Sequence, residues 1–174
     1  MGSQLFVVDA DVATSMSSKG HPPSPQCATT LLRILSVCHR VVLGKELHSE
    51  WNEHARGKEF ARWKKQMLNR GKVKKVSLRR AAEIAGRLRN VASTDEIGEI
   101  MARDAHLIAA ALEHGARVLS CDRRVRHHLR TVAGKVQDLD RVVWADPTLP
   151  EENIDGWLDA GAPAEDRRML GWSE

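Results

Sequence analysis

The stretch DAHLIAAALEHGARVLSCD, residues 104–122, joins a predicted helix to a predicted strand and ends in a carboxylate. Residues 104–115 contain four alanines and three leucine or isoleucine residues and are predicted to form a helix, since these residue types favour helix. Gly115 is suited to the left-handed turn that ends many helices, and RVLSC (117–121) predicts a buried strand. A helix followed by a buried strand is the building pattern of α/β folds.

The same alternation continues on both sides of this stretch. Short apolar runs predict further strands over 5–8, 40–43 and 141–145, and a polar loop with prolines follows the first of them over 17–26. Because these runs do not alternate between apolar and polar residues, they predict a parallel β-sheet sandwiched by helices, an α/β fold with three α/β/α layers. The other helices are predicted over 27–38, from 45 to 71, over 78–89, after a cap at Ser93 or Thr94, and over 122–132.

Length and cysteine usage point to one domain in a reducing compartment. The 174 residues fit a single core, and no apolar run approaches the roughly 20 residues of a membrane span. The N-terminus has no basic region followed by an apolar stretch and a cleavage site, so we expect a cytoplasmic protein without a membrane anchor. The three cysteines have no CxxC spacing, and we expect Cys27 and Cys38 in the core.

Residues 56–89 have the composition of a nucleic-acid contact surface, with 13 Lys or Arg against 2 Asp or Glu. Each phosphate that such side chains neutralise adds salt-dependent affinity. Phe60 and Trp63 stand among them, where an exposed ring would stack on a base; with Met67 they equally have the spacing of a helical core stripe. The residues expected to contact RNA are Arg56, Lys58, Arg62, Lys64, Lys65, Arg70, Lys72, Lys74, Lys75, Arg79 and Arg80.

The end of the chain has the opposite charge, because residues 145–174 contain 8 acidic and 2 basic residues. We therefore divide the chain into a domain of residues 1–146, which includes the basic helical segment 56–89 as an insertion, and an acidic C-terminal arm of residues 147–174. The arm is expected to pack on the domain or to dock on a partner. Its charge would also allow it to lie across the basic segment and compete with RNA.

Acidic residues collect where the predicted strands end. Ligands of open α/β sheets gather outside the carboxyl ends of the strands, so these acids are expected at one place. Clustered carboxylates repel one another unless a cation neutralises them, and without Cys or paired His ligands they favour Mg²⁺ or Mn²⁺. The acids are Asp9 and Asp11 after the first strand, Glu46 and Glu50 after the second, Asp104 at the start of the alanine-rich helix, and Asp122 after the third strand.

Four segments together resemble the PIN-domain nuclease family, which includes the toxin ribonucleases of toxin–antitoxin pairs. They are VVDADV (7–12), VVLGKELHSEW (41–51), RDAHLIAAALEHGARVLSCD (103–122) and, more weakly, RVVW (141–144). The family pattern is a strand followed by Asp, a helix with Glu, then D-x-x-[LI]-[AL]-x-A and a strand ending in [ST]-x-D. The basic segment is longer and more basic here than in a small toxin of this family.

The resemblance implies a metal-dependent endoribonuclease, either the toxin of a toxin–antitoxin pair or an RNA-processing or defence nuclease, and it implies a role for each acid. Asp9 matches the first acid of the family, Asp104 the third and Asp122 the fourth. The second is Glu50, with Glu46 as its substitute one turn earlier. The resemblance also implies that Ser120 helps to hold the site and that Asp11 is an additional acid beside it. The secondary candidates are therefore Asp11, Glu46 and Ser120.

Two other functions remain open from the sequence. One is an RNA-binding module of the same fold that does not cleave. The other is a D-x-D phosphatase, in which Asp9 is the nucleophile and Asp11 the acid/base, although no later Lys and paired-Asp motif follows in order. RNA is the expected partner, and the resemblance also allows a homodimer and an antitoxin-like protein inhibitor. His106, two residues after Asp104, is either an ordinary residue of the helix, which is the favoured interpretation, or a proton carrier at the site edge.

Overall fold

The computed structural model describes residues 2–16 and 24–172, so part of the predicted loop 17–26 lies outside the described residues. In the described chain one sheet has the strand order β3-β2-β1-β4-β5, and every neighbouring pair is parallel. The predicted α/β class with a parallel sheet between helices is therefore confirmed. The strands are β1 (Leu5–Val8), β2 (Arg40–Leu43), β3 (Val73–Lys75), β4 (Arg117–Leu119) and β5 (Trp144–Ala145).

Helices cover the sheet, and the alanine-rich one packs directly on β1 and β4. Its end is the predicted one, because Gly115 adopts the left-handed conformation with φ at 63°. Across the described residues the helices are α1 (Ala10–Ser15), α2 (Pro25–Ser36), α3 (Lys45–His54), α4 (Lys58–Asn69), α5 (Ala81–Val91), α6 (Asp95–Arg103), α7 (Ala105–His114), α8 (Arg123–Val132) and α9 (Ile154–Asp159). None of them is long and apolar enough to cross a bilayer.

β1 is the central strand and marks the point where the strand order reverses. After β1 the chain adds β2 and β3 on one side, and later β4 and β5 on the other. Phe6, Val7 and Val8 are almost completely buried, as expected for a strand covered on both faces. Ligands of such sheets bind outside the carboxyl ends of the strands at this reversal, which lies between β1 and β4.

The prediction of a single helix from 45 to 71 is wrong. The chain forms α3 and α4 instead, with Ala55 ending the first and Gly57 in extended conformation before the second. The break lets Trp51 on α3 meet α4 edge-on, with ring centroids 5.1 Å from Phe60 and 6.1 Å from Trp63. Burial of this aromatic cluster favours the break over a continuous helix.

The basic segment 56–89 is helical in α4 and α5 as predicted, but it also contains β3 between them. This strand pairs with β2, placing Val73 beside Val41 and Lys75 beside Leu43. Three residues, two of them lysines, carry too little apolar pattern to predict a strand, although lysine is a usual residue of exposed sheet edges. β5 is also shorter than the predicted 141–145.

The aromatic residues of the basic segment belong to the core. Phe60, Trp63 and Met67 are at most 1% exposed, so the core-stripe interpretation is confirmed and base stacking by these rings is excluded. The Trp63 indole N–H donates to the carbonyl of Leu31 at 2.7 Å, which ties α4 to α2. Cys27 is buried as predicted, but the expectation for Cys38 is wrong, because it lies exposed beyond the end of α2.

The described part of the acidic arm packs on the domain. Trp157 on α9 is buried with its ring edge-on to Phe6 at 5.7 Å, and Leu170 is also buried. Asp159 forms an ion pair with Arg33 on α2. The arm's acidic residues pair with α2, with α8 and with the arm's own arginines across residues 147–172. An arm that competes with RNA would place its acidic residues on segment 56–89, whereas these ion pairs join them to α2, to α8 and to the arm itself.

Candidate active site

Two carboxylates follow the strands that flank the reversal point. Asp9 comes directly after β1 and caps α1, and its N–H donates to the carbonyl of Leu119 at the end of β4 (2.9 Å). Asp122 lies after β4 and caps α8, with its Oδ1 accepting from the N–H of Val125 at 2.8 Å. Each carboxylate caps the helix that follows it. Because β1 pairs with β4 in parallel, both carboxylates lie at the same edge of the sheet.

Asp9 is buried and Asp104 is half-buried, and the two carboxyl groups influence each other. Burial raises the pKa of Asp9 above its ordinary value, and hydrogen bonding with Ser120 opposes this rise only in part. Asp104, which separates α6 from α7, has its pKa raised to about 7, first by burial and then by the charge of Asp9. The charges of Asp122 and Glu50 raise the pKa of Asp104 further. The four predicted acids therefore form one electrostatic cluster drawn from distant parts of the sequence.

Glu50, not Glu46, is the α3 acid that faces this cluster. Its Oε2 lies 3.3 Å from Nε2 of His106, which is 5% exposed. The His106 Nδ1 lies 3.1 Å from the carbonyl of Arg103, which can only accept, so Nδ1 carries a proton. Burial alone would lower the pKa of His106, but contact with Glu50 raises it above its ordinary value. Glu46 is exposed in the first turn of α3.

Asp11 supports the turn between β4 and α8. Its Oδ2 accepts the backbone N–H of Cys121 at 2.9 Å and the Ser120 hydroxyl at 3.3 Å. The Ser120 Oγ in turn accepts the N–H of Asp122 at 3.1 Å. Burial, and then the charge of Asp9, raise the pKa of Asp11 to about 8. Asp11 and Ser120 thus fix the position of Asp122, and the Oδ1 of Asp11 is buried with no hydrogen-bond partner among the described residues.

The cluster fits a divalent cation in donor type and charge. Across residues 2–16 and 24–172 no three His, Cys, Asp or Glu side chains are already arranged as a ligand set. However, carboxylate oxygens are the donors that Mg²⁺ and Mn²⁺ prefer, and the basic side chain in contact with the cluster is His106, 3.3 Å from Glu50. Carboxyl groups held above their ordinary pKa are groups whose ionised form lacks a compensating positive charge.

A groove of about 860 Å³ opens next to the carboxylates. Asp11 and Asp122 line it, together with Gln26 on α2 and Arg123 on α8. Arg123 is held there by a 2.9 Å hydrogen bond from its Nε to Asp146. Asp146 is not among the site residues predicted from the sequence. Asp146 directly follows β5, so the strand-end rule that selected Asp9 and Asp122 would have selected it too.

The predicted RNA contacts differ in how far they reach solvent. Lys58, Arg62 and Lys65 are exposed on one face of α4, four and three residues apart. Lys72 is a wrong prediction, because its Nζ donates to the carbonyls of Ile34 (2.8 Å), Leu35 (2.8 Å) and Val37 at the end of α2. The Lys72 ammonium group therefore caps the carbonyls at the C-terminus of α2 and does not point outward to a phosphate.

The other basic residues of the segment also have defined positions. Arg70 donates to the carbonyl of Leu35 at 3.2 Å, and Lys64 donates to the Asn52 amide oxygen at 3.2 Å. The rest are distributed over the loop before α4, the edge strand β3 and the start of α5: Arg56, Lys74, Lys75, Arg79 and Arg80.

Comparison with family models, with curated proteins and with solved structures finds no match for this chain. The resemblance to PIN nucleases therefore rests on the four sequence segments and on the placement of their acids.

Proposed function

We propose that this protein is a Mg²⁺- or Mn²⁺-dependent endoribonuclease of the PIN type. The observation that carries the proposal is the cluster of Asp9, Glu50, Asp104 and Asp122 at the reversal point of a parallel sheet, with burial raising the pKa of Asp9 and Asp104. A partly buried acidic cluster of this kind stabilises the fold poorly by itself, so a function that requires negative charge is the simplest reason for it.

The proposed roles of the residues follow from their positions. Asp9, Glu50, Asp104 and Asp122 hold the cation. A divalent cation bound there would activate a water molecule and stabilise the leaving oxygen of a phosphodiester. Asp11 and Ser120 keep the Asp122 turn in place through their hydrogen bonds. His106 holds the Glu50 carboxylate at the site edge and partly neutralises it until the cation binds.

The exposed basic face of α4 is proposed to hold the RNA backbone. A variant in which Lys58, Arg62 and Lys65 are all replaced by Gln is expected to bind single-stranded RNA more weakly. Each phosphate contact contributes about 0.7 to the slope of log K against log salt, so the slope should fall by about 2. Fluorescence anisotropy of a labelled RNA over a salt series measures this slope.

Lys72→Met provides the matched control, since it removes a positive charge from the same segment but from the end of α2. It is expected to leave the RNA slope unchanged while lowering the free energy of unfolding by about 1–3 kcal/mol. An equal loss of slope in Lys72→Met would contradict this assignment of the binding face.

The stability of the metal-free protein is expected to fall as the pH rises, and less steeply in Asp104→Asn. The carboxyl of Asp104 has a folded-state pKa of about 7, above its value in the unfolded chain. Its protonated form therefore stabilises the fold below the unfolded pKa of about 3.9, and that contribution disappears as the pH rises through about 7. The difference in unfolding free energy between the two proteins should change by up to about 1.4 kcal/mol for each pH unit in this range.

Urea denaturation in EDTA across this pH range makes the measurement. Mn²⁺ should add more stability at the high end, because the ion binds the ionised carboxylates. Parallel pH curves for wild type and Asp104→Asn would argue against the raised pKa.

The function itself is tested by incubating an RNA pool with the purified protein, with and without Mn²⁺, and mapping the cut ends. Cleavage that needs Mn²⁺ and stops in EDTA is the expected result. Binding of RNA without any cleavage would favour a non-catalytic RNA-binding module, and accumulation of an aspartyl-phosphate on Asp9 would favour the phosphatase.

A further inference from the structure

Two thiols from distant parts of the chain meet beside the carboxylate cluster. The Sγ atoms of Cys27 and Cys121 lie 3.6 Å apart, although the residues are 94 positions apart in sequence. Cys27 belongs to the first turn of α2, where Ser24 caps the helix. Cys121 stands in the turn between β4 and α8, immediately before Asp122. A disulfide has a sulfur–sulfur distance of about 2.05 Å, so the two sulfurs need to approach by only about 1.5 Å to bond.

The surroundings make one of these thiols reachable. Cys27 is fully buried, whereas Cys121 is half-buried and lines the groove next to Asp11 and Asp122. A small oxidant entering the groove therefore meets the Cys121 sulfur first. The third cysteine, Cys38, is exposed beyond the end of α2 and is not part of this pair.

We propose that Cys27 and Cys121 are an oxidisable pair, and that peroxide closes a disulfide between them which reduces the activity of the adjacent site. The Cys121 sulfur attacks one oxygen of hydrogen peroxide, a sulfenic acid forms, and the other oxygen leaves as water with the thiol proton. The Cys27 sulfur then attacks the sulfenic sulfur and expels hydroxide, which takes the Cys27 proton and leaves as water. Two thiols and one peroxide thus give one disulfide and two waters.

The disulfide would act on the site through the turn that carries Cys121. The N–H of Cys121 donates to Asp11 at 2.9 Å, and the next residue, Asp122, is one of the four acids of the cluster. Moving the Cys121 sulfur toward α2 displaces this turn and changes the position of the Asp122 carboxylate. This consequence rests on the proposed function, because it assumes that Asp122 serves catalysis.

The pairing is tested first, by a measurement that does not need activity. In a Cys38→Ser protein, millimolar hydrogen peroxide is expected to remove both thiols together, with a mass loss of two hydrogen atoms and full recovery in dithiothreitol. Contact with Cys27, together with burial, raises the pKa of Cys121, so incubation over hours is appropriate. Peptide mapping should join the peptides that contain Cys27 and Cys121.

A Cys27→Ser, Cys38→Ser protein is the matched control for the pairing. There the lone Cys121 is expected to gain oxygen instead of losing hydrogen, because no second thiol resolves the sulfenic acid. Two thiols that stay titratable in the Cys38→Ser protein, or oxygen added to Cys121 while Cys27 stays reduced, would overturn the proposal.

The effect on the site is tested in the same Cys38→Ser protein. The oxidised form is expected to cleave RNA about 10- to 100-fold more slowly than the reduced form, since a displacement of about 1 Å in a catalytic group costs this much. Dithiothreitol should restore the rate. A disulfide that forms without changing the rate would overturn the regulatory part. If the reduced protein does not cleave RNA at all, the proposed function fails, while the mass measurement still decides the pairing.

Discussion

Replacing Asp104 by asparagine is expected to slow RNA cleavage by more than about 100-fold while the fold and the RNA affinity are preserved. Loss of a group behind the metal ligands costs up to about this factor, and a ligand itself should cost more. The fold should tolerate the change, because burial and the charge of Asp9 already disfavour the ionised carboxyl, whose pKa is raised to about 7. Initial rates in Mn²⁺, circular dichroism and RNA anisotropy measure the three quantities.

The two glutamates of α3 give a matched pair for the same assay. Glu50→Gln should lose cleavage as Asp104→Asn does, because Glu50 faces the cluster beside His106. Glu46→Gln, one turn earlier and exposed, should keep close to the wild-type rate. Full activity of Asp104→Asn, or equal losses in the two α3 variants, would refute the assignment of the site.

Replacing Glu152 by alanine is expected to lower the free energy of unfolding by about 3–5 kcal/mol. The Glu152 carboxylate is buried between two arginines, with Oε1 2.6 Å from Nη1 of Arg126 and Oε2 bonded to Arg168. Arg168 is 1% exposed and lies over the Trp157 ring at 4.5 Å. Removing the carboxylate leaves the buried Arg126 guanidinium without its counter-charge and leaves Arg168 with Glu165 alone, 3.0 Å from its Nε; losing one partner is the costly case for a buried ion pair.

Urea denaturation measures this loss, and the neighbouring residue provides the control. Glu151 has an exposed side chain, so Glu151→Ala should stay within about 0.5 kcal/mol of wild type. A loss below about 1 kcal/mol in Glu152→Ala would show that the ion pairs of the arm do not hold it on the domain.

The strands and helices that could be predicted are those whose pattern is local. The runs LFVV and RVVL are apolar at three or four successive positions, and both form the strands expected from them. The alanine-rich helix and its Gly115 end were also predictable from neighbouring residues alone. β3 was not, because an edge strand of three residues with two lysines takes its conformation from pairing with β2.

The residues placed wrongly are those whose contacts are distant in sequence. From the sequence, Lys72 is one of a run of solvent-exposed cations. In the structure it donates to backbone carbonyls at the end of α2, which lie 35 to 38 residues earlier in the chain. The break between α3 and α4 depends on Trp51 packing against Phe60, and helix propensity carries no information about that contact.

The candidate site was predictable as a set of positions but not as a set of interactions. The strand-end rule selects Asp9 and Asp122 because it follows from the direction of parallel strands. It cannot choose between Glu46 and Glu50, which are one helical turn apart, whereas the contact with His106 separates them. Nor could it show that Asp11 accepts the backbone N–H of the turn before Asp122.

The most direct measurement of the central claim is calorimetric titration of the protein with Mn²⁺ below pH 7, in two buffers of different ionisation enthalpy. The account predicts binding accompanied by proton release, because Asp104, with its pKa of about 7, must lose its proton to serve as a ligand. It also predicts that Asp9→Asn and Asp104→Asn lose both the binding and the proton release. Absence of Mn²⁺ binding, or binding that both variants retain unchanged, would contradict the account.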